Sequence, residues 1–175
     1  MPAYDITIRL AREDDADAIA RMSRDLIETG LGWSWTSVRV RKAIAHRDTL
    51  SLVATRESNG GRSHEASMLA FAIAYFGDEQ AHLNLLAVLP EHQRKGIGKR
   101  LVTWVTESAL VAGIRTVNLE LRLRNAAGRN FYRALGFKDT ALVPNYYRGV
   151  ETAVRMSRDI TLRSPSSQRG IWRPS

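Results

Sequence analysis

The sequence has no cysteine among its 175 residues. That absence excludes disulfide bonds, thiolate metal sites and a cysteine nucleophile, and it is typical of proteins that work in a reducing compartment. Long apolar runs are also missing, since none approaches the roughly 20 residues that cross a bilayer. Residues 1–5 carry neither the basic nor the apolar region of a secretion signal. We therefore expect a soluble, cytoplasmic protein with no membrane partner.

Acidic side chains are in the minority, because 18 Asp and Glu stand against 26 Lys and Arg, for a net charge of +8. This balance favours acidic partners such as phosphate cofactors, nucleic acids or ribosomes. The arginines are scattered and no nucleic-acid-binding motif accompanies them, so no nucleic-acid partner is predicted. The histidines lack the spacing of metal ligands, so no metal site is predicted and all four are interpreted as surface or turn residues: His46, His64, His82 and His92.

The hydrophobic content of 44% is ordinary, and the length suits one domain. Apolar patterns predict, in order, a strand, two helices, three strands, a helix, a strand, a helix and two strands. An antiparallel meander followed by crossover connections implies an α/β (α+β) fold, with a mixed central sheet of about seven strands and helices on both faces. We expect a single domain over residues 1–160 and a flexible basic tail over residues 161–175, which are rich in Ser, Pro and Arg.

The second half of the chain has the clearest elements. Apolar residues at helical spacing predict a helix over residues 97–112, and Gly113 is its natural end. Residues 116–123 alternate as a strand does, which places Glu120 on the polar side. The remaining elements are a short helix over residues 125–135 and two strands at residues 137–143 and 152–157, with residues 144–147 in their connection.

A glycine-containing loop over residues 93–98 follows an apolar strand and opens the helix. Its two glycines remove the Cβ atoms that would keep an anion away from the main chain. The N-terminus of the helix directs unpaired N–H groups and a positive dipole end to the same place. Nearby basic side chains add positive charge, and the loop therefore predicts a cradle for a pyrophosphate: Arg94, Lys95, Lys99 and Arg100.

Three interpretations of this loop compete. A dinucleotide-binding fingerprint fails because its third glycine position falls on Leu101. A Walker loop fails because Gln93 replaces the first glycine and Arg100 replaces the Ser or Thr. A plain turn before a helix remains possible for an isolated Gly-x-Gly, so the spacing of the wider sequence has to decide.

That wider spacing resembles the GNAT acetyltransferase superfamily. Gln-x-x-Gly-x-Gly, placed after a Leu-Ala-Val strand and Pro90, looks like the acetyl-CoA loop of that superfamily. Over residues 86–157 the chain is similar to the ribosomal-protein alanine N-acetyltransferases and other protein N-terminal acetyltransferases, whereas the first half matches only in element order. The segments that carry the resemblance are residues 86–88, 93–98, 119–122, 125–127, 131–137, 145–147 and 151–153.

The resemblance implies a binding site for acetyl-CoA, the co-substrate, where two neighbouring strands splay apart. Backbone groups freed by the splay would hold the pantetheine arm as an added strand, and one N–H would polarise the thioester carbonyl. The side chains of the same strand are expected in the core. The implied cofactor-binding residues are Leu86, Ala87, Val88, Gln93, Arg94, Lys95, Gly96, Ile97, Gly98, Lys99 and Asn125, of which Asn125 is also expected to cap its helix.

For the chemistry, the resemblance implies Glu120 as the base, acting directly or through water, and Tyr132 as the acid. An α-amino group has a pKa near 8, about two units below lysine, so a modest base suffices for N-terminal substrates. Each residue also has a structural alternative. Glu120 could be a solvated strand carboxylate paired to Arg122 or Arg124, and Tyr132 could serve packing.

Four aromatic residues are candidates for the acceptor groove, with core packing as their alternative: Trp33, Trp35, Tyr146 and Tyr147. The function implied is direct acetyl transfer from acetyl-CoA to a primary amine, with a protein or peptide N-terminus as partner and a ribosomal protein as one candidate. Two alternatives stay open. One is an acetyltransferase for a small amine such as a polyamine, amino acid or drug, and the other is a non-catalytic CoA-binding regulator.

Overall fold

The computed structural model of the protein describes residues 6–56 and 67–161. The strands are β1 (Ile6–Leu10), β2 (Thr49–Arg56), β3 (Ser67–Phe76), β4 (Gln80–Val88), β5 (Thr116–Arg122), β6 (Lys138–Tyr147) and β7 (Glu151–Asp159). The helices are α1 (Ala16–Met22), α2 (Ser37–Ala45), α3 (Ile97–Val111) and α4 (Ala126–Ala134). The strands form one sheet in the order β1-β2-β3-β4-β5-β7-β6. The predicted mixed α/β sheet of seven strands is confirmed.

Helices cover both faces of this sheet, and each face has its own hydrophobic core. Helices α1 and α2 pack on one face, where Ile19 and Val40 meet Phe71 of β3. Helices α3 and α4 pack on the other, where Leu101 and Phe131 belong to a larger cluster with the inner side chains of β5 and β7. The apolar positions at helical and strand spacing account for both layers.

Strands β4 and β5 are parallel neighbours that stay paired only at their beginnings. Their register covers Gln80–Thr116, Ala81–Val117 and His82–Asn118, and it stops there. In β4, Asn84 is an extra residue opposite Ile73 and Ala74 of β3, which bends the strand as a β-bulge does. The strands then diverge, and a gap opens in the middle of the sheet. The predicted splayed strand pair is therefore present.

The ends of α3 and α4 follow directly from the sequence. Each helix is followed by a glycine with positive φ, Gly113 at 83° and Gly136 at 89°. In both places the next residue, Ile114 or Phe137, donates its N–H to a carbonyl five residues back, which satisfies an otherwise unpaired helix carbonyl. This geometry holds Phe137 in the core beneath α4.

Two element boundaries differ from the prediction. In the sequence, Asp14 or Asp15 could cap a first helix that runs to about Thr29, but α1 ends at Met22 and a π-helical turn, Ser23–Ile27, follows. Residues 144–147 were expected in a connection, and this was wrong because they belong to β6. Pro144 is tolerated there because β6 is an edge strand, and its pairing with β7 is irregular between Val143 and Tyr147.

Within the described residues, no helix is long and apolar enough to cross a membrane. The predicted tail lies outside the described residues, except for Thr161.

Candidate active site

The gap between β4 and β5 opens, on the face that carries α1 and α2, into a cleft of about 320 Å³. Its walls come from the segment between α1 and α2, from β4 and β5, and from the end of β6. The residues that line it include Glu28, Trp35, Arg39, His82, Glu120, Tyr146, Tyr147 and Arg148.

Glu120 is at the centre of this arrangement. It lies on β5, where Leu119 and Leu121 face the α3 core, so its own side chain faces the cleft. The carboxylate is buried, with only 4% of its side chain exposed, and three groups surround it. His82 Nε2 lies 2.8 Å from Oε2, Arg155 Nε donates to Oε1 at 2.6 Å, and the Tyr146 hydroxyl donates to Oε2 at 3.3 Å.

These contacts decide the ionisation of Glu120. Burial alone would raise the pKa of its carboxyl, but the hydrogen bonds from His82 and Arg155, with the charge of Arg155 and that of His82 when it is protonated, outweigh burial and lower that pKa to about 2. The carboxylate is therefore ionised at any physiological pH. The sequence suggested Arg122 or Arg124 as a partner, and this was wrong because Arg155 lies directly opposite Glu120 in the pairing of β5 with β7.

His82 was interpreted as a surface or turn residue, and this interpretation was wrong. It lies within β4, on the face that meets Glu120, and its side chain is 34% exposed towards the cleft. The pairing of His82 with Asn118 brings the imidazole within reach of the carboxylate two residues further along β5. The alternation of apolar and polar residues along β4 is a sequence signal for the direction of the His82 side chain. The contact of His82 with Glu120 follows only from the register between β4 and β5.

The unpaired side of β4 offers backbone groups to the gap. Leu89 N–H donates to Leu69 of β3, and the Val88 carbonyl instead accepts a hydrogen bond from the Gln93 side chain at 3.1 Å. Because backbone groups alternate along a strand, those of Val88 and Leu86 face the gap while those of Ala87 face β3. Of the predicted segment, the backbone groups of Leu86 and the N–H of Val88 therefore face the gap, while the Val88 carbonyl is taken by Gln93.

The glycine loop lies at the start of α3, beyond the end of β4. Arg94 and Gly96 both have positive φ, at 63° and 81°, and Gly96 is the N-cap residue without a side-chain cap. A Cβ at Gly98 would lie 3.2 Å from Phe131 of α4. The first turn of α3 therefore presents backbone N–H groups without a covering side chain, as an anion site requires. Ile97 itself is buried, so only its backbone can take part.

Two further predicted residues lie on α4 and at its start. The Asn125 side chain accepts from Gly128 N–H at 2.9 Å, so it caps α4 as expected. Tyr132 lies between the rings of Phe131 and Phe137, with ring centroids 5.0 and 5.5 Å away. Burial raises the pKa of the Tyr132 hydroxyl, and negative charge on Tyr147 would raise it further. The hydroxyl therefore stays protonated at working pH.

The aromatic candidates divide into lining and supporting residues. Trp35, Tyr146 and Tyr147 line the cleft, and the two tyrosine rings pack edge to face at 4.9 Å. Trp33 does not line the cleft, and its indole N–H donates to the Trp35 carbonyl at 3.0 Å within the same loop.

Glu28 is a second buried carboxylate at the cleft, and sequence reasoning missed it. It accepts hydrogen bonds from Ser23 Oγ, Ser34 N and Oγ, and Trp35 N. Burial acts to raise the pKa of Glu28, but these hydrogen bonds outweigh burial and leave the pKa below its ordinary value. Glu28 therefore fixes the loop that presents Trp35. No local sequence pattern predicts this role of Glu28, because the positions of the donor groups depend on the conformation of the loop.

Arg122 fastens the same loop to the sheet. Its guanidinium donates to the carbonyls of Ile27 and Thr29, at 3.1 and 2.6 Å, and lies 3.6 Å from the carboxylate of Glu151. The cleft is thus bounded by segments that are tied together. Among residues 6–56 and 67–161, no three His, Asp or Glu side chains are grouped as a metal site would need.

Known proteins share this architecture. The profile of the Acetyltransferase (GNAT) family matches residues 21–137. A ribosomal protein bS18-alanine N-acetyltransferase of Escherichia coli K12 is 34% identical over 103 residues, which are 57% of this chain and 70% of the relative.

Solved structures agree with that match. The crystal structure of the ribosomal-protein-S18-alanine N-acetyltransferase from Escherichia coli superposes with a TM-score of 0.72 and 25% identity, covering 96% of this chain and 100% of that chain. Arabidopsis thaliana NAA60 in complex with acetyl-CoA shares the fold, with a TM-score of 0.78 at 16% identity over 90% of this chain and 100% of that chain. The chain therefore belongs to the GNAT acetyltransferase family, as an N-acetyltransferase that takes its acetyl group from acetyl-CoA.

Proposed function

We propose that this acetyltransferase modifies the α-amine of a protein N-terminus, with a ribosomal protein as the leading candidate acceptor. One observation carries the proposal: the buried carboxylate of Glu120 and the partly exposed imidazole of His82 are paired in an aromatic-walled cleft beside the gap between β4 and β5. The related Escherichia coli enzyme, which is named for the alanine of ribosomal protein bS18, supports the same acceptor class.

The two faces of the sheet give the two substrates separate entrances. The glycine loop and Tyr132 belong to the face of α3 and α4, whereas Glu120 and His82 face α1 and α2. Acetyl-CoA supplies an activated acetyl thioester. We place its pyrophosphate on the backbone of residues 94–99, with Lys99 and Arg94 adding charge, and its pantetheine arm along Leu86 and Val88. The acceptor amine then enters the gap from the cleft.

The proton of the amine goes to the His82–Glu120 pair. A carboxylate with a pKa of about 2 is a weak base on its own. Histidine is the side chain that most readily gains and loses a proton near neutral pH, and the charge of Glu120 stabilises the imidazolium that forms. We therefore assign proton acceptance to His82, directly or through water, and electrostatic support and orientation to Glu120.

The other groups act at the carbonyl oxygen and at the sulfur. A backbone N–H of Leu86 or Val88, which faces the gap, can stabilise the developing oxyanion. Tyr132 remains protonated and can donate its proton to the departing sulfur. In one turnover the nitrogen gains the acetyl group and loses a proton to the His82–Glu120 pair, while the sulfur takes the proton of Tyr132 and leaves as a thiol. The proton held by the pair is then released to solvent, and the Tyr132 phenolate takes one up from solvent, so that both groups return to their starting states.

An α-amine is the acceptor that this apparatus suits best. Its pKa near 8 leaves a useful neutral fraction at physiological pH, whereas lysine near 10.4 would demand a stronger base. The walls formed by Trp35, Tyr146 and Tyr147 suit a narrow chain end. Since acetyl-CoA and newly made ribosomal proteins meet in the cytoplasm, the proposal implies a cytoplasmic location.

Thiol release from acetyl-CoA tests the proposal. Peptides that begin with Ala, Ser or Met are compared with the same peptides blocked at the α-amine, and with spermine and free amino acids. We expect turnover with the free peptides and none with the blocked ones. Turnover with spermine or amino acids but with no peptide would overturn the proposal in favour of a small-amine acetyltransferase.

A further inference from the structure

The cleft carries two arginines that the chemistry above does not use. Arg39, on α2, lies with its guanidinium 4.1 Å from the centre of the Trp35 ring. Arg148 lies in the connection between β6 and β7, and both side chains line the cleft and are exposed. Neither forms an ion pair with a carboxylate of residues 6–56 or 67–161.

The Arg148 side chain lies where two loops with unusual backbone conformations meet. Arg148 has a φ of 51°, a conformation that costs a non-glycine residue energy. The Arg148 guanidinium lies directly against Gly32, where a Cβ would be 2.6 Å from its central carbon and would displace the side chain from this position. Gly32 also has a positive φ of 73°. Both loops therefore adopt unusual backbone conformations that bring the cation to the cleft.

The negative charges of the cleft are already satisfied. Glu120 is held by His82, Arg155 and Tyr146. Glu28 is held by four hydrogen bonds from Ser23, Ser34 and Trp35. The charge that remains available to a ligand is therefore positive, and it lies on Arg39 and Arg148.

From this we infer that the enzyme prefers acceptor peptides with Asp or Glu at the second or third residue. This inference rests on the proposed function, because it takes the α-amine to lie beside Glu120. The following residues, at about 3.3–3.6 Å each, must leave through the cleft between Arg39 and Arg148. A carboxylate there meets two guanidinium groups, each able to form charge-assisted hydrogen bonds.

The test compares peptides that differ only at positions two and three, as Ala-Asp-Asp, Ala-Asn-Asn and Ala-Lys-Lys followed by one neutral sequence. We expect kcat/KM to fall in that order, with about a two- to twentyfold advantage of the acidic over the neutral peptide, as two exposed ion pairs allow. The advantage shrinks in high salt, because these charges are exposed.

Variants assign the effect to the two arginines. Arg39→Gln and Arg148→Gln together should remove the acidic preference while leaving the neutral peptide and the KM for acetyl-CoA within about twofold of the parent. Lys42→Gln is the matched control, since it removes an exposed cation from α2 outside the cleft and should change nothing. Arg39→Glu with Arg148→Glu should make Ala-Lys-Lys the preferred peptide.

Two failures are distinguishable. Equal rates for all three peptides, or an acidic preference that survives in the double variant, overturn the inference and leave the proposed function intact. If no peptide is acetylated while a small amine is, the proposed function fails and the inference fails with it.

Discussion

The ionisation of Glu120 depends on partners that are distant in sequence. Its place on the polar side of a strand was evident from alternation, and the resemblance singled it out. Its partners Arg155 and His82 come from strands on either side, so they become visible only once the strand order is known. The sequence therefore predicts the carboxylate but not the imidazole beside it.

Replacing His82 tests whether His82 or Glu120 accepts the proton of the amine. His82→Gln should lower kcat by roughly a hundredfold or more, because the group that accepts the proton of the amine is lost. The KM for acetyl-CoA should change little, since His82 faces the acceptor side. His46→Gln, at an exposed histidine outside the cleft, is the control. Parental kcat across pH in His82→Gln would contradict the assignment and return the base role to Glu120 alone.

The pairing of Glu120 also predicts how stability depends on pH. Folding lowers its pKa from 4.5 to about 2, so the ionised carboxylate stabilises the native state fully above the ordinary pKa. That contribution is lost as the pH falls from 4.5 towards 2. The difference in free energy of unfolding between the parent and Glu120→Gln should therefore be large at neutral pH and shrink through this range.

Urea unfolding over the same pH range measures that difference. Glu107→Gln, at an exposed carboxylate on α3, should show almost none. A difference for Glu120→Gln that stays constant down to the lowest accessible pH would mean that the ion pairs of Glu120 do not stabilise the fold.

Tyr132 is the residue proposed to donate a proton to the departing sulfur. Tyr132→Phe should slow acetyl transfer by roughly ten- to a thousandfold if its hydroxyl protonates the sulfur. Packing between Phe131 and Phe137 should survive, because the ring is kept. Single-turnover rates and CoA affinity measured side by side separate the two effects, and a weakened CoA affinity with an unchanged rate would argue for a packing role.

At the scale of elements, the sequence predicts regular structure well and irregular structure poorly. Gly113 and Gly136 end their helices where expected, because a left-handed residue is needed there. The bulge at Asn84, the π-helical turn after α1 and the continuation of β6 through Pro144 were not predicted. Each depends on contacts with other segments, and each shapes the cleft or the gap. The acceptor side was therefore harder to predict than the acetyl-CoA side.

Replacing Glu28 tests whether the loop between α1 and α2 contributes to acceptor binding. Glu28→Gln replaces one acceptor oxygen by an NH₂ group that faces N–H and O–H donors, at a cost of roughly 1–3 kcal/mol. We expect a higher KM for the acceptor peptide, an unchanged KM for acetyl-CoA and faster hydrogen exchange in residues 30–36. A rise in both KM values would show that Glu28 supports the whole site rather than this loop.

For the whole molecule, the proposed mechanism lets two substrates meet without a covalent intermediate. One sheet separates the face of α3 and α4, where we propose that acetyl-CoA binds, from the face of α1 and α2, where we propose that the acceptor binds. The gap between β4 and β5 joins the two sides at Glu120. The sequence predicted this architecture because the family spacing covers its second half, whereas the acceptor depends on loops from both halves.

One peptide that carries both kinds of amine decides whether the enzyme acetylates an α-amine or a lysine. The peptide begins with Ala, contains an internal Lys, and is incubated with the enzyme and acetyl-CoA before fragmentation by mass spectrometry. We predict a single acetyl group on the α-nitrogen of the first residue, formed with one equivalent of free CoA. An acetyl group on the Lys side chain, with the α-amine left free, would contradict the account.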